Sequence, residues 1–412
     1  MGSLRSVLNL SLLAGFAAFV VPVVVHFLTV FGPFLVPKPT VLGEGQGPIY
    51  IQDTVHCEDV HHYLPANLLF TACEDVKETR FKWFPGLGHY LEPQPPARGS
   101  IHVVDPTTFE SKRLEFENFE SSFVTHGIDV IGDPQKADAV YIFAVNHLTN
   151  PEYFGTSEPP KGTPKARSQI ELFHHVLGSN SVKHIRSIRH ELITTPNDVY
   201  AISPSEFYVT NDHFYREGLM RMLEDTVYMA KWSNIIHVQI TDSKAKDATA
   251  GLEVSVAHAG LHNNNGLGHG RTANEMSYIS PTGRPQTTPP SISIHTTLAF
   301  KSATDNPSYY TDPYRTDADD ASGIVIAGVS RGALLPQTTK DPNALDPLKV
   351  WYARLGNKGW EQKLLFEDDG SRIRSASAAV LVPIAPENGK KLAWLFVTGF
   401  MSESMVAVQV EL

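Results

Sequence analysis

Short strand patterns follow one another along most of this 412-residue chain, and they limit the folds that it can adopt. Runs rich in β-branched and aromatic residues, separated by turn clusters such as 105–108, 203–206 and 386–389, are typical of all-β domains. The clearest patterns lie at 99–105, 139–145, 197–203, 206–211, 234–240, 291–298, 323–329, 378–384, 391–397 and 405–412. They indicate a sandwich, a barrel or a propeller.

The number of strand patterns favours the propeller. It is too large for one sandwich, and paired strands recur as they do in four-stranded blades of about 40–50 residues. We therefore predict an all-β, six-bladed β-propeller over residues 51–412. Two segments interrupt the pattern: a Pro-rich polar insertion at 156–167 and a helix predicted at 214–231. The apolar residues of that helix would cover the propeller or, alternatively, lie on a membrane surface.

The N-terminal segment differs from the rest. No Asp, Glu, Lys or Arg occurs between Arg5 and Lys38, and the run 7–31 is long enough for a bilayer, which needs about 20 apolar residues. We predict a membrane anchor at 1–37 and a linker at 38–50, with the remainder lumenal or extracellular. A long cleaved signal peptide is the alternative.

Charge and cysteine content exclude other classes. The formal charge is −10 and the pI is near 6.0, so the chain lacks the basic footprint of a nucleic-acid-binding protein. Its two cysteines, Cys57 and Cys73, do not form a CxxC motif. They either form one bridge or remain two free thiols.

Pairs of oxygen-bearing side chains recur at strand starts and loops. Calcium takes about six to eight oxygen ligands, and without an EF-hand spacing they must come from distant loops, as the inner loops of a propeller allow. Each pair alone is also an ordinary turn feature, and adjacent side chains on a strand are expected to point to opposite faces. The candidate residues are Glu58, Asp59, Asn197, Asp198, Asn265, Asp305 and Asn306.

Two histidines complete the candidate site. His126 precedes a predicted strand and His147 follows the next one, so both can lie at one end of one sheet. Two imidazoles near a cation can act as a base and a relay, although a single histidine is more often a core residue. Neither a Gly-x-Ser-x-Gly elbow nor a His-Glu-x-x-His zinc motif is present.

Several segments together resemble the serum paraoxonase/arylesterase family. They are EDVHHYLPANLLF, THGIDV, VYIFAVNH, IRSIRHELITTPNDVYAISPSEFYVTNDHF, NNNGL and TDNP, and they spread over residues 57–412 with the closing strands. The resemblance implies a six-bladed propeller that holds two Ca²⁺ ions. By resemblance, the catalytic ion is held by Glu58, Asn197, Asn265, Asp305 and Asn306. The structural ion is held by Asp59, Asp198 and the Ile128 carbonyl. The catalytic dyad is formed by His126 and His147. Asp212 and His213 match a pair near the family's active site.

The chain departs from the family at several positions. Val410 replaces the C-terminal cysteine of the family's disulfide, and the family's free cysteine near Val329 is missing. Residues 270–290 match poorly, so the choice of substrate is not implied. The resulting expectation is calcium-dependent hydrolysis of lactones or aryl esters, without a nucleic-acid partner. The alternatives are a non-catalytic, membrane-tethered binding or chaperone propeller, a tailoring lactonase of a secondary-metabolite pathway, and a propeller of the strictosidine-synthase or gluconolactonase type.

Overall fold

A computed structural model describes residues 2–36, 38, 47–92, 96–227, 229–272, 275–278, 298–317 and 319–412. The strands of this part of the chain are β1 Ile49–Ile51, β2 Asp59–Tyr63, β3 Leu68–Glu74, β4 Trp83–Phe84, β5 His89–Tyr90, β6 Gly99–Val104, β7 Ser111–Arg113, β8 Glu115–Glu117, β9 Thr125–Asp133, β10 Lys136–Thr149, β11 Ala166–Val176, β12 Ser181–Ile188, β13 Pro196–Ser203, β14 Glu206–Asn211, β15 Ser233–Ile240, β16 Leu252–Leu261, β17 Leu267–His269, β18 Met276–Tyr278, β19 Ala303–Tyr310, β20 Gly323–Val329, β21 Leu348–Gly356, β22 Gly359–Asp368, β23 Ala376–Glu387, β24 Lys390–Gly399 and β25 Met405–Glu411. The helices are α1 Gly2–Val30, α2 Lys77–Lys82, α3 Pro151–Phe154, α4 Leu219–Thr226 and α5 Leu335–Thr338, with 3₁₀ turns at Leu64–Ala66, Pro85–Leu87 and Gly332–Leu334.

The strands form blades arranged in a ring. The first blade is β2-β3-β6-β7, the second β9-β10-β11-β12-β8, the third β13-β14-β15-β16, the fourth β19-β20-β21-β22 and the fifth β23-β24-β25-β1. The N-terminal strand β1 pairs with the C-terminal strand β25, with Ile49 opposite Ala407, so the two ends of the propeller share one sheet. Apolar residues fill the spaces between blades; Phe143 and Phe207, for example, join the second and third.

The predicted count of six blades is wrong for the residues that the structure describes, which form five. The inner strands contact one another in the order β2, β9, β13, β17, β19 and β23 and return to β2. The position between the third and fourth blades is held by β17, which belongs to the two-stranded ribbon β17-β18. The strand pattern predicted at 291–298 lies almost wholly outside the described residues. The structure therefore does not test whether that segment adds a strand to a sixth blade.

One-residue bulges interrupt four of the inner strands at the same end of the ring. At each bulge the register advances by three residues on the inner strand and by two residues on the neighbouring strand. The bulges lie between Thr125 and Ile128 in β9, Pro196 and Val199 in β13, Thr304 and Pro307 in β19, and Ala376 and Ala379 in β23. A bulge re-aims side chains that a regular pleat would send to opposite faces. Both members of Asn197–Asp198 and of Asp305–Asn306 lie at these bulges.

Helix α1 contains a segment, Asn9–Val30, long and apolar enough to cross a membrane, with a mean hydropathy of 2.3 and 6% of it buried. A signal sequence passes the same test of length and composition. The end of α1 rests on the propeller, because the Ala333 N–H donates to the Phe31 carbonyl at 3.1 Å and Val30 is buried.

The predicted helix at 214–231 is shorter in the structure and does not cover the core. Among its described residues, only Leu219–Thr226 is helical, and Leu219, Met220, Met222 and Leu223 are exposed. The buried residue of α4 is Glu224, whose carboxylate accepts hydrogen bonds from the N–H groups of Phe214 and Tyr215. That local bond ties α4 to the preceding loop and turns its apolar side chains outward.

Cys57 and Cys73 form a disulfide, which settles the alternative that the sequence left open. Cys57 lies just before β2 and Cys73 lies in β3, the partner of β2 in the first blade. The bridge therefore holds the chain in place immediately before Glu58.

Candidate active site

Glu58 directly precedes the inner strand β2 and is completely buried. Its carboxylate accepts hydrogen bonds from the Asn306 side-chain amide at 3.1 and 3.2 Å. Its backbone carbonyl accepts from the Ser377 and Thr398 hydroxyls. These contacts join the first blade to the fourth and the fifth, and they hold the Glu58 side chain in one orientation.

Four of the predicted cation ligands have a buried side-chain oxygen without a hydrogen-bond partner in the described part of the chain. They are Asn197, Asn265, Asp305 and Asn306. Burying a polar atom without a partner costs free energy, so such atoms call for a missing ligand. Carboxylate and amide oxygens are the donors that Ca²⁺ prefers. The donor set therefore fits a calcium ion, and these residues together with Glu58 are the ones that would hold it.

A second layer of carboxylates lies deeper in the channel. Asp59 accepts a hydrogen bond from the Ile128 N–H at 3.0 Å, and Asp198 accepts one from the Leu267 N–H at 2.7 Å. The predicted role of the Ile128 carbonyl as a calcium ligand remains a prediction, although Ile128 does lie beside Asp59. Gly127 leaves the space that Asp198 occupies, because a Cβ there would stand 2.1 Å from Asp198 Oδ1.

Several carboxyl groups lie close together in the channel. Burial raises the pKa of Glu58 well above its usual range, and the charges of Asp305 and Asp59 raise it further. Burial likewise raises the pKa of Asp198 and of Asp305, and it raises that of Asp59 to about 6. These carboxylates are thus costly to ionise without a counter-charge, which a divalent cation would supply.

His126 and His147 are buried and in contact. His126 Nδ1 lies 2.9 Å from His147 Nε2, and His147 Nδ1 lies 2.8 Å from the Ser168 hydroxyl. The Asn197 amide donates to His126 Nε2 at 3.2 Å, and Glu58 Oε1 is 4.0 Å from the same nitrogen. With Asn197 as donor, one consistent set of tautomers has His126 Nδ1–H donating to His147 and His147 Nδ1–H donating to Ser168.

The environment of the pair keeps both imidazoles neutral at pH 7. Burial, followed by the proximity of His147, holds the pKa of His126 well below its usual range, and burial lowers the pKa of His147 to about 4. The Phe84 ring packs against His126, with the ring centroids 4.8 Å apart. A neutral His126 can accept a proton at Nε2, the nitrogen that faces Asn197 and Glu58.

Asp212 and His213 lie on the other side of the pair. Asp212, with His147 and Ser168, lines a narrow cavity of about 10 Å³, roughly the space that one water needs. His213 is 3.0 Å from Asp212 through Nδ1 and 2.5 Å from Asp225 through Nε2. Burial opposes the charged form of His213, but Asp212 outweighs it and the pKa of His213 is raised. The structure brings Asp212 to the histidine pair, whereas His213 serves to anchor Asp212.

The sequence reasoning missed several supporting residues. Ser168 orients His147, and Thr210 accepts the Asp198 N–H through its hydroxyl oxygen at 3.0 Å. Asn263 and Asn264 also have buried side-chain oxygens without a partner in the described residues, and only Asn265 of that run was singled out. The unbroken Asn263–Asn265 run was a signal that could have found them. For the two hydroxyls the sequence held no signal, because such residues are common on every strand.

Comparison with known proteins identifies the central part of the chain. An arylesterase family model matches residues 80–259. Serum paraoxonase/arylesterase 2 of Gallus gallus is 33% identical over 174 residues, 41% of this chain and 42% of that protein. The Rattus norvegicus protein of the same name is 32% identical over 180 residues, and serum paraoxonase/lactonase 3 of Oryctolagus cuniculus is 27% identical over 225 residues, or 55% of its length. The match thus spans about half the length of these relatives.

Solved structures overlap the chain only loosely. A xylan beta-1,4-xylosidase from Bacillus Halodurans C-125 reaches a TM-score of 0.32 at 9% identity, over 92% of this chain and 54% of the other, which is too low to inform the fold. The family match contains His126, His147, Asn197, Asp198 and the Asp212–His213 pair. Glu58, Asp59, Asn265, Asp305 and Asn306 lie outside it and join the site through the fold. The resemblance to the serum paraoxonase/arylesterase family is confirmed over this central part of the chain.

Proposed function

We propose that the chain is a calcium-dependent hydrolase of carboxylic esters, acting on lactones, aryl esters or both. The observation that carries this proposal is the set of partnerless oxygens of Asn197, Asn265, Asp305 and Asn306 beside Glu58, next to His126 Nε2. A second calcium ion is proposed between Asp59 and Asp198, with the Ile128 carbonyl. Residues 51–412 would form the hydrolase unit.

The chemistry that calcium supplies at such a site is polarisation of the ester carbonyl and neutralisation of the charge that develops on its oxygen. Asn197 links the two halves of the site, since its amide nitrogen donates to His126 while its oxygen is left for a cation. Water attacks the carbonyl as His126 Nε2 takes its proton. The Nδ1 proton of His126 then moves toward His147 Nε2, so the positive charge is shared along the Asn197–His126–His147–Ser168 chain.

The histidine pair argues for catalysis over a purely structural use of calcium. A structural ion needs only the Asp59–Asp198 layer, whereas the chain also places two neutral, mutually bonded imidazoles against the upper layer. Burying two imidazoles costs desolvation free energy, whereas apolar side chains in the same place would not. Without a catalytic role, apolar residues would therefore be favoured there. A non-catalytic binding propeller is therefore the second outcome of the test and not the proposal.

The decisive experiment is an assay of the full chain in detergent against aliphatic lactones and phenyl acetate, with calcium and with chelator. We expect turnover that needs calcium and that falls about 100- to 10,000-fold in His126→Gln. His237→Gln is the matched control, because His237 also pairs with a carboxylate, that of Glu206, but lies far from the channel. A protein that melts higher with calcium yet hydrolyses none of these substrates would favour the binding propeller.

We also propose that α1 anchors the hydrolase to a membrane with the propeller on the lumenal or extracellular side. The apolar segment Asn9–Val30 and the exposed apolar side chains of α4 both support membrane contact. Extraction at alkaline pH tests this, since an anchored chain stays in the pellet. Release into the supernatant of a shortened chain that lacks the segment would favour a cleaved leader.

A further inference from the structure

A third cluster of chemistry-bearing side chains lies in the same channel, beyond the two proposed calcium layers. It consists of His61, Asp129 and His269, which lie on the inner strands β2, β9 and β17. None of the three belongs to the site described above. The candidate ligand atoms of the three residues all lie within 4.8 Å of one another.

The position of the cluster follows from the strand period. In a regular strand, residues two apart share a face and are about 6.6 Å apart. His61 follows Asp59 by two residues in β2, and His269 follows Leu267 by two in β17. Past the bulge, β9 carries Asp129 to the same level. The cluster is therefore one strand period further along the channel than Asp59 and Asp198.

The geometry is that of a three-ligand metal site. His61 Nδ1 lies 2.9 Å from Asp129 Oδ1, and His269 Nε2 lies 2.8 Å from Asp129 Oδ2. Ligands about 2.0–2.1 Å from a tetrahedral zinc ion are about 3.3 Å from one another. These two spacings are within about 0.5 Å of that value, and the two imidazole nitrogens lie within 4.8 Å of each other, so movement of the rings about the Asp129 carboxylate would admit a metal ion.

The surroundings orient these ligands. Asp129 is nearly fully buried, and its carboxylate also accepts hydrogen bonds from the N–H groups of Val130 and Ala201 at 2.8 and 2.7 Å. The Tyr200 ring lies against the His269 imidazole with centroids 4.5 Å apart. Fixed carboxylates and packed imidazoles are what a metal site uses to hold its ligands in place.

The cluster also has room for further ligands. It lines a cavity of about 270 Å³ at the end of the inner strands opposite His126, and His269 remains 35% exposed. Three protein ligands with open positions toward a cavity are typical of a site that exchanges water or a small ligand.

We propose that His61, Asp129 and His269 bind one divalent transition-metal ion, of which Zn²⁺ is the test case. Two imidazoles and a carboxylate suit zinc, iron, nickel or copper, whereas the all-oxygen layers above suit calcium. The channel would then bind two kinds of cation at different depths, calcium among the oxygen donors and a transition metal at the His–Asp–His cluster.

The test uses the full chain without a histidine tag, stripped with chelator and reloaded with excess calcium to fill the oxygen sites. Co²⁺ is then titrated by its visible absorption, and Zn²⁺ is used to displace it. We expect one equivalent to bind, with affinity at least 10-fold weaker in both His61→Gln and His269→Gln. His237→Gln, which alters a partly exposed histidine on another strand, should bind as the wild type does.

The proposal is wrong if the wild type binds Co²⁺ no more tightly than the His269→Gln variant, which would leave a hydrogen-bonded His–Asp–His cluster without metal. It is also wrong if excess calcium abolishes binding, because the ion would then be occupying the oxygen layers. Unchanged calcium-dependent melting in both histidine variants shows that a loss of Co²⁺ binding is not a loss of fold.

Discussion

Replacing Glu58 by Gln should change stability little without calcium and much more with it. Glu58 is fully buried, and burial together with Asp305 and Asp59 holds its pKa well above the usual range. Without a cation, burial therefore favours the uncharged form of the carboxyl group, and an amide has the same shape as that form. We expect the free energy of unfolding in chelator to fall by less than the ~1–3 kcal/mol that an unsatisfied buried group costs, because the amide oxygen still accepts from Asn306.

With calcium the same substitution removes a charged ligand. A cation at 100 times its Kd stabilises the folded protein by about 2.7 kcal/mol. If the lost charge weakens binding about 100-fold, the same calcium concentration equals the new Kd and the stabilisation falls to about 0.4 kcal/mol. The calcium-dependent increment should thus shrink by more than 2 kcal/mol, on the order of four-fifths of its size.

The assay is urea denaturation in detergent, followed by tryptophan fluorescence, with calcium and with chelator. Glu74→Gln is the control, because Glu74 is equally buried and burial raises its pKa to about 7, yet it is not one of the proposed calcium ligands. Its carboxylate instead accepts a hydrogen bond from the Val76 N–H and is acted on by the charge of Arg80. That variant should keep the full calcium increment. An equal increment in the wild type and in Glu58→Gln would refute the assignment of Glu58 as a ligand.

Three further outcomes are expected. Gly127→Ala should lower the free energy of unfolding by about 1–3 kcal/mol and weaken calcium binding, because its Cβ would stand 2.1 Å from Asp198 Oδ1. Urea denaturation and calorimetric titration measure the two effects, and an unchanged titration would contradict the close packing. Replacing Cys57 and Cys73 by Ala should cost about 3 kcal/mol in urea denaturation, since the bridge closes a 16-residue separation, and no loss would show that the bridge does not form. Burial lowers the pKa of His102 to about 4, so between pH 6.5 and 4 the unfolded chain binds a proton at this histidine while the folded chain does not. The stability that this group contributes is therefore present above pH 6.5 and is lost as the pH falls, by up to about 1.4 kcal/mol per pH unit. The Tm of His102→Gln should decline less steeply over that range than the Tm of the wild type.

The sequence predicted which residues meet at the site better than it predicted how they meet. The dyads at Asn197–Asp198 and Asp305–Asn306 were recognised as ligand candidates, but a regular pleat sends adjacent side chains to opposite faces. The bulges in β13 and β19 resolve that conflict. A bulge depends on the pairing of one strand with its neighbour, so no pattern within a single strand announces it.

Supporting residues were harder to predict for a similar reason. Ser168 and Thr210 orient His147 and Asp198 across neighbouring strands, and each is an ordinary strand residue in sequence. For α4 the sequence allows either the core or a membrane surface, because an apolar periodicity predicts burial without saying which partner supplies it. The local bond between Glu224 and the Phe214 N–H decides the orientation of that helix.

The buried aspartates of the inner strands, unlike Glu58, also accept backbone hydrogen bonds from the next inner strand. Asp59 of the first blade accepts an N–H from Ile128 of the second, Asp129 of the second accepts one from Ala201 of the third, and Asp198 of the third accepts one from Leu267 of the ribbon. Each carboxylate thus closes the seam to the next inner strand. Removing one leaves a buried N–H without a partner, at a cost of about 1–3 kcal/mol. Among the described residues, the Glu58 carboxylate accepts hydrogen bonds from the Asn306 side chain alone, and the oxygen of a glutamine there can still accept them. Loss of activity at the three aspartates therefore has to be separated from loss of fold, whereas loss at Glu58 reports on the cation itself.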